Sequence, residues 1–333
     1  AQGEGVGSGM KGVIGRGWLW ILVWIAVCIS GCGTFSGAGE GSRVDAPVTR
    51  TVVDVQGQSV KLREKPQRIV SCSISTDEIL LEMVDASRIA ALSVLVDDPG
   101  ISNLAAAASG VGRRVDLNLV EPILAVQPDL ILAPDFVKPE IIQSLRDLSV
   151  PVFVYRTPKT VEEVKCVIKQ FAYVTGEEVR GQAMVAEMDR RLAAVTEKVG
   201  QIPVAERKRV ILIRANGAYF SPKNSISDIC RLAGVEDATQ ELAYGQPMPI
   251  PQEAIVRLNP DIFFVPNWNY DGRHDPDLLI RSIVENPSYQ TTNAVRRGEV
   301  KKLHGSYILS LSQYIVDAVE EVARLSYPEM FSP

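Results

Sequence analysis

The chain has 333 residues, of which 46% are hydrophobic and 23% are charged, and this composition excludes a disordered, collagen-like or polytopic membrane protein. The net charge of −5 argues against a nucleic-acid partner, because phosphates attract a clustered positive surface. The only histidines are His274 and His304, so a site built from three or four histidine ligands is excluded.

The N-terminus has the layout of an export signal. Lys11 and Arg16 precede an apolar run from Trp18 to Ile29. At about 1.5 Å per residue this run is too short to cross a hydrocarbon core of about 30 Å. Small residues follow it, as in secretory signals. We therefore predict a signal peptide with an upstream extension over residues 1–31, with an uncleaved membrane anchor as the alternative.

The residues that end this signal resemble the bacterial lipobox, in which an aliphatic residue and two small residues precede a cysteine. Here they are Ile29-Ser30-Gly31-Cys32. The resemblance implies that Cys32 is acylated and that the protein is extracytoplasmic. It would be anchored by lipid to a bacterial membrane, in the periplasm of a two-membrane cell or on the outer face of a one-membrane cell. Residues 32–47 are rich in Gly, Ser and Ala, which suits a flexible tether behind the lipidated cysteine.

Two later segments resemble each other without gaps at an offset of 132 residues. Residues 121–134 read EPILAVQPDLILAP, and residues 253–266 read EAIVRLNPDIFFVP. Each predicts a short helix that ends before a Pro-Asp pair, because proline disfavours helical geometry in the preceding residue. Each then continues as an apolar strand typical of a parallel sheet covered on both faces. The repeat therefore predicts two similar α/β domains.

A helical region separates the two halves. Thr160 to Glu163 reads as a capping box, and the run Glu177–Val199 would form a helix of about 35 Å, enough to cross between domains. The predicted fold is α/β, with two parallel-sheet lobes joined by a long spanning helix and a ligand cleft between the lobes. The predicted boundaries are an N-terminal lobe over residues 48–158, a helical region over 159–200 and a C-terminal lobe over 201–333.

This order of elements resembles the helical-backbone class of periplasmic substrate-binding proteins of bacterial ABC transporters, which serve ferric siderophores, cobalamin and haem. Residues 68–80, 118–131 and 307–328 carry the resemblance, which extends from about residue 50 to 330. No GxSxG, GxxxxGK[ST] or HExxH motif is present, and the resemblance likewise implies that the chain is not an enzyme.

The resemblance implies a ligand and partners. The protein would capture a metal chelate, with a ferric siderophore ahead of a corrinoid such as cobalamin and haem third. It would act as a monomer, without a cofactor of its own, and deliver the chelate to a permease dimer with its ATPase. Two alternatives stay open, a bare-metal receptor for zinc or manganese and a sensor lipoprotein that does not transport.

The first residues of the two repeat segments are candidates for permease docking. In the resembled family each lobe presents one surface glutamate to arginines of the permease, and the matching positions here are Glu121 and Glu253. Such pairs favour orientation and association rate. The alternative is that both carboxylates only compensate the dipole at the start of a helix.

The candidate ligand-binding residues follow the predicted strands, because ligands of open α/β sheets bind beyond the carboxyl ends of the strands. The strand ends carry Ser73, Ser75, Asp97, Asp98, Asp135, Phe136, Arg156, Arg214, Asn216, Tyr219, Asn267, Trp268, Asn269, Tyr270, His304 and Tyr307. The predicted ligand-binding set is Ser73, Phe136, Arg156, Arg214, Tyr219, Trp268, Tyr270 and Tyr307.

The chemistry of this set suits a metal chelate. Aromatic rings cover a chelate or macrocycle, and arginine pairs with an anionic one. We expect Trp268, Tyr270 and Tyr307 to line a cleft that they share with Arg156. As alternatives, each aromatic ring could pack on its own lobe, and Arg156 and Arg214 could form structural salt bridges.

Overall fold

The computed structural model describes residues 49–268, 275–309 and 311–331. The predicted signal, Cys32 and the predicted tether lie outside these residues. No helix among the described residues is both long enough and apolar enough to cross a membrane. The described part begins with an antiparallel hairpin of β1 (Thr49–Val53) and β2 (Ser59–Arg63). Asp54 closes its turn by accepting the backbone N–H groups of Gln56 and Gln58, both at 2.9 Å.

The N-terminal lobe is built on a five-stranded parallel sheet with the order β5-β4-β3-β6-β7. All residues of β6 and β7 are buried, as expected for apolar strands inside a parallel sheet. The strands are β3 (Ile69–Ser71), β4 (Ile89–Ser93), β5 (Arg114–Val115), β6 (Leu130–Pro134) and β7 (Val152–Tyr155). The helices are α1 (Ile74–Met83), α2 (Ala105–Ala108), α3 (Val120–Ala125) and α4 (Pro139–Asp147).

Two helices connect this lobe to the next. α5 (Val161–Thr175) begins at the predicted cap, where the Thr160 hydroxyl accepts the Glu163 N–H at 3.2 Å, and it ends at Gly176, whose φ is 73°. A left-handed residue after a helix is typically glycine, which carries no Cβ. α6 (Glu178–Val199) is the 22-residue helix that the sequence predicts as the spanning element.

The C-terminal lobe repeats the architecture with a four-stranded parallel sheet of order β10-β8-β12-β13. Its strands are β8 (Arg209–Leu212), β10 (Glu236–Asp237), β12 (Ile262–Pro266) and β13 (Val300–Leu303), and a small antiparallel pair is formed by β9 (Tyr219–Phe220) and β11 (Met248–Pro249). The helices are α7 (Ser225–Leu232), α8 (Gln252–Leu258), α9 (Pro276–Val284), α10 (Asn293–Arg296), α11 (Gly305–Leu309), α12 (Ile315–Ser326) and α13 (Pro328–Phe331).

One apolar core extends through both lobes. Its buried members include Ile69 in the first sheet, Phe171 in α5, Val195 in α6, Phe264 in the second sheet and Ile315 in α12. Two smaller clusters fill the remaining space on each sheet. The predicted fold of two parallel-sheet lobes joined by a long helix is therefore confirmed.

Candidate functional site

A cavity of about 450 Å³ lies at the carboxyl ends of β8 and β12, the two inner strands of the second sheet. This is the edge at which ligands of open parallel sheets bind. Its described lining is largely apolar and consists of Arg214, Ala215, Asn216, Pro266, Trp268, Leu279 and Leu309. The structure therefore brings two predicted ligand-binding residues, Arg214 and Trp268, to the same cavity.

Arg214 supplies a positive charge to this cavity. Its backbone closes a tight turn with Gly217 through hydrogen bonds of 3.1 and 2.8 Å. Its side chain is half-buried, and this burial lowers the pKa of the guanidinium, which stays charged at neutral pH. Among the described residues no carboxylate pairs with it, so the salt-bridge alternative finds no support for Arg214. A half-buried cation that no described carboxylate neutralises is suited to an anionic group on a ligand.

Trp268 extends from the cavity to the other lobe. Its indole Nε1–H donates to Oδ2 of Asp98 at 3.2 Å, and Asp98 lies in the turn after β4 of the N-terminal lobe. Sequence analysis places Asp98 at a strand end but gives it no role. The signal that could have suggested one is the Asp-Pro-Gly sequence, typical of a turn, in the loop that follows a buried strand.

A buried carboxylate joins the lobes close to this contact. Glu78 in α1 accepts the Asn103 N–H at 2.7 Å, the Asn103 side-chain amide at 3.0 Å and the Ser312 hydroxyl at 2.5 Å. The Asn103 amide also donates to the carbonyl of Ser306 at 3.0 Å. Sequence analysis missed Glu78, although a glutamate on the otherwise apolar face of a predicted helix is a signal for a buried polar contact.

Three other predicted residues occupy different surroundings. Ser73 caps α1, and its hydroxyl lies 3.0 Å from the Tyr155 hydroxyl. Phe136 follows β6 with 63% of its surface exposed. Tyr219 lines a smaller cavity of about 130 Å³, which it shares with Arg214. Tyr270 lies outside the described residues.

Arg156 and Tyr307 are not among the described residues that line the Trp268 cavity, so the cleft that we expected them to share with Trp268 stays a prediction. Arg156 lines a separate cavity of about 350 Å³ between β7, the first hairpin and α5. The ring of Tyr307 packs 5.0 Å from that of His304. Burial, and secondarily the charges of Asp317 and Glu321, raise the pKa of Tyr307. Arg156 follows β7 and Tyr307 follows β13, and each of these strands lies at the edge of its own sheet.

The two predicted docking glutamates occupy equivalent positions. Glu121 lies in the first turn of α3 and Glu253 in the first turn of α8, and both are exposed. Within the described chain neither side chain forms an ion pair or a hydrogen bond. Both carboxylates are thus accessible to a partner.

No cluster of three or more His, Cys, Asp or Glu residues within the described ranges is arranged to hold a metal ion. The described histidine, His304, lies with Nδ1 2.5 Å from Oε1 of Glu321. Its ring is thereby held on the surface beside α12, away from the lining of the Trp268 cavity.

Comparison with known proteins identifies the family. Residues 69–307 match the periplasmic binding protein family. The ABC transporter substrate-binding lipoprotein YvrC of Bacillus subtilis (strain 168) is 23% identical over 328 residues, which cover 95% of this chain and 98% of that protein. A cobalamin-binding protein of Halobacterium salinarum is 25% identical over 280 residues, which cover 83% of this chain and 73% of that protein.

Solved structures show the same fold. A periplasmic binding protein from Veillonella parvula superposes with a TM-score of 0.69 at 21% identity, covering 84% of this chain and 98% of that one. The family and the named relatives are described as binding proteins, and the relative from Bacillus subtilis as a substrate-binding protein of an ABC transporter, so the chain is not an enzyme, as the sequence predicts. The chain therefore belongs to the periplasmic binding protein family, as the extracytoplasmic substrate-binding component of an ABC transporter.

Proposed function

We propose that this protein captures a metal chelate in the cavity beside Trp268 and delivers it to an ABC-transporter permease. The observation that carries the proposal is that the Trp268 indole and the Arg214 cation line the same largely apolar cavity. Flat apolar surface covers the organic part of a chelate, and the cation pairs with an anionic group.

Within this class we propose a corrinoid such as cobalamin, with a ferric siderophore as the second candidate. Arg214 is the one cation in the described lining, which suits a ligand with a single phosphodiester better than a catecholate chelate with several negative charges. The relative from Halobacterium salinarum is named as a cobalamin-binding protein, and this name supports the same choice. This reverses the order expected from the family resemblance alone.

The ligand is tested by titrating the purified protein with cyanocobalamin, a ferric hydroxamate, a ferric catecholate, haem and Zn²⁺. Trp18, Trp20 and Trp24 lie in the predicted signal, so Trp268 is the sole tryptophan of protein that begins after it. We expect cyanocobalamin to quench its emission, and Trp268→Ala to remove most of the quenching. Binding of Zn²⁺ alone would contradict the proposal and favour a bare-metal receptor.

Arg214→Met tests the role of the cation. Loss of a charge-assisted contact is expected to weaken cyanocobalamin binding about tenfold. Arg296→Met is the matched control, because Arg296 is exposed and does not line the cavity. Equal affinity of Arg214→Met and the control would show that Arg214 does not contact the ligand.

We also propose that Cys32 is acylated and anchors the protein to the membrane. The lipobox-like residues support this, as does the name of the relative from Bacillus subtilis, a substrate-binding lipoprotein. Cys32→Ala should abolish incorporation of labelled palmitate, whereas Cys28→Ala, within the apolar run, should not. Labelling of the Cys32 variant would refute the anchor.

The proposed partners are a permease dimer, contacted through Glu121 and Glu253, and its ATPase. Two exposed carboxylates at equivalent helix starts, one on each lobe, support this proposal. A monomer of this protein presents one pair of glutamates, and each of the two permease subunits would bind one of them. A transport assay of the double variant, described below, separates this role from that of a sensor that does not transport.

A further inference from the structure

The turn after β4 reaches from the N-terminal lobe to the indole of Trp268. Asp98 uses its two carboxylate oxygens separately: Oδ1 accepts the Gly100 N–H at 2.8 Å, and Oδ2 accepts the Trp268 Nε1–H at 3.2 Å. The first bond shapes the turn that carries the acceptor, and the second crosses between the lobes. One side chain therefore links the backbone of one lobe to an aromatic ring of the other.

Two glycines make room for this indole, one from each lobe. A Cβ atom at Gly100 would overlap Cδ1 of Trp268. A Cβ atom at Gly305 would lie 2.7 Å from the Trp268 Cβ and 2.9 Å from the Gly100 carbonyl oxygen. Because real Cβ atoms essentially never approach other atoms below 3.0 Å, any larger residue at either position must displace the ring or the turn.

The turn is itself fixed against the C-terminal lobe. Five residues beyond Asp98, Asn103 is held by the buried carboxylate of Glu78 and by the carbonyl of Ser306. Glu78 in turn accepts the Ser312 hydroxyl. These bonds preorganise the Asp98 acceptor, so its position depends on the way in which the two lobes meet.

We propose that Asp98 and Gly100 are positioning residues for ligand binding. They fix the orientation of the Trp268 indole, and hence one wall of the cavity, from the lobe opposite the one that carries the cavity. The ligand affinity of the C-terminal cavity then depends on two residues of the N-terminal lobe that are outside its described lining. The claim about the indole stands on its own geometry, and the claim about affinity rests on the proposed function.

The indole is tested without ligand, in protein that begins at residue 46, because residues 46–333 form one compact unit. The variants are Asp98→Leu and Gly100→Ala. The controls are Asp97→Leu, which removes a charge from the same turn, and Gly112→Ala, whose Cβ would meet nothing within 4 Å. We expect both test variants to shift the emission of Trp268 and to change its quenching by acrylamide, and both controls to match the parent. Unchanged emission and quenching in Asp98→Leu and Gly100→Ala would overturn the proposal.

The effect on affinity is tested with cyanocobalamin, followed by the absorbance of the bound corrinoid. Loss of the Asp98 acceptor should weaken binding about tenfold. In a Trp268→Phe background, which lacks the indole N–H, Asp98→Leu should have no further effect. Full affinity in Asp98→Leu, or the same loss in the Phe background, would overturn the positioning role.

The emission test and the affinity test distinguish a wrong ligand from a wrong role of Asp98 and Gly100. If the parent binds neither cyanocobalamin nor a ferric siderophore, the proposed ligand is wrong, and the emission of the variants still decides whether Asp98 and Gly100 orient the ring. If Gly100→Ala proves unstable on thermal unfolding relative to Gly112→Ala, Asp98→Leu alone decides.

Discussion

In both lobes an aspartate side chain holds neighbouring central strands together by accepting backbone N–H groups. Asp129 before β6 accepts the N–H groups of Gln67 and Arg68 at 2.8 and 2.7 Å, just ahead of β3. At the equivalent repeat position, Asp261 before β12 accepts the N–H of Arg209, where β8 begins, at 3.1 Å. In both lobes the aspartate of the Pro-Asp pair thus aligns two neighbouring inner strands, β3 with β6 and β8 with β12.

The two lobes remain equivalent at the first residue after the central strand and differ at the second. Asp135 after β6 accepts the N–H of Thr157 at 3.1 Å, and Asn267 after β12 accepts that of Gly305 at 2.8 Å. At the next position, Phe136 is 63% exposed, whereas Trp268 bonds Asp98 across the lobes. The two lobes therefore use equivalent residues to accept backbone N–H groups after the central strand. The next residue differs, because Phe136 is exposed whereas Trp268 lines the cavity.

A similar divergence separates the first helices. The fourth residue of α1 is Asp77, which is buried and accepts the Ser93 N–H at 3.0 Å and its hydroxyl at 2.5 Å. The fourth residue of α7 is Asp228, which accepts the Val161 N–H at 2.8 Å and pairs with Arg231. Asp77 therefore bonds within the N-terminal lobe, whereas Asp228 at the equivalent position attaches the C-terminal lobe to the start of α5.

The largest effect is expected from the two docking glutamates, and it tests whether both lobes contribute to permease binding. Changing Glu121 and Glu253 together to Ala should leave ligand binding intact and lower the affinity for the permease at least about 100-fold, because each desolvated pair is worth a few kcal/mol. Each single change should do less. Uptake of labelled ligand and co-purification with the permease measure the effect. The control is Glu140→Ala with Glu285→Ala, which removes one exposed glutamate from each lobe. Equal transport by the two double variants would contradict docking.

The next effect compares the two Pro-Asp aspartates. Asp129→Ala should lower the free energy of unfolding by about 3 kcal/mol, since two short charge-assisted bonds are lost and water replaces them only in part. Asp261→Ala should cost about 2 kcal/mol, because its bonds to Arg209, Asn293 and Arg297 are longer, at 3.1 to 3.4 Å. Urea unfolding of both variants measures the two free energies. A larger loss of stability in Asp261→Ala than in Asp129→Ala would contradict the prediction.

A third effect depends on pH and concerns Asp77, the buried carboxylate that stays inside the N-terminal lobe. Burial raises the pKa of Asp77 from 3.8 to about 6, in spite of the hydrogen bonds from Ser71 and Ser93. The folded state therefore holds this proton more tightly than the unfolded chain does. The stability that the protonated group confers is complete below about pH 4 and is lost as the pH rises through about 6.

Asp77→Asn should remove this dependence. The shift corresponds to about 3 kcal/mol, and the lost acceptor oxygen offsets about 1 kcal/mol, so the variant should be about 2 kcal/mol more stable than the parent at pH 7. Urea unfolding between pH 4 and 7 measures it. A parent-like slope in Asp77→Asn would show that Asp77 is not its source.

The smallest effect concerns the residue that precedes the Pro-Asp pair in each repeat segment. Gln127 and Asn259 both have left-handed backbones, with φ of 47° and 45°. Gln127→Gly should stabilise the protein by about 1 kcal/mol, because a side chain disfavours this conformation. Asn259→Gly should not, since asparagine tolerates the conformation and its side chain accepts the Asn293 N–H at 2.8 Å. Thermal unfolding measures both, and a gain in Asn259→Gly alone would contradict the argument.

The sequence by itself determined the parts of this protein that depend on local signals. The Pro-Asp pairs, the buried apolar strands, the Thr160 cap and the length of α6 follow from backbone geometry and hydrophobic periodicity, which act within a few residues. The repeat then implied two lobes, and the strand-end rule predicted Arg214 and Trp268 as ligand-binding residues, which both line one cavity in the structure.

The tertiary structure decided which of the strand ends meet. The strands β7 and β13 lie at the edges of two different sheets, and the residues that follow them, Arg156 and Tyr307, are not among the described lining of the cavity beside β8 and β12. The bond between Asp98 and Trp268 joins residues 170 positions apart in the chain. No local pattern encodes such a pairing, because it exists only when the packing of two lobes brings a carboxylate and an indole to hydrogen-bonding distance.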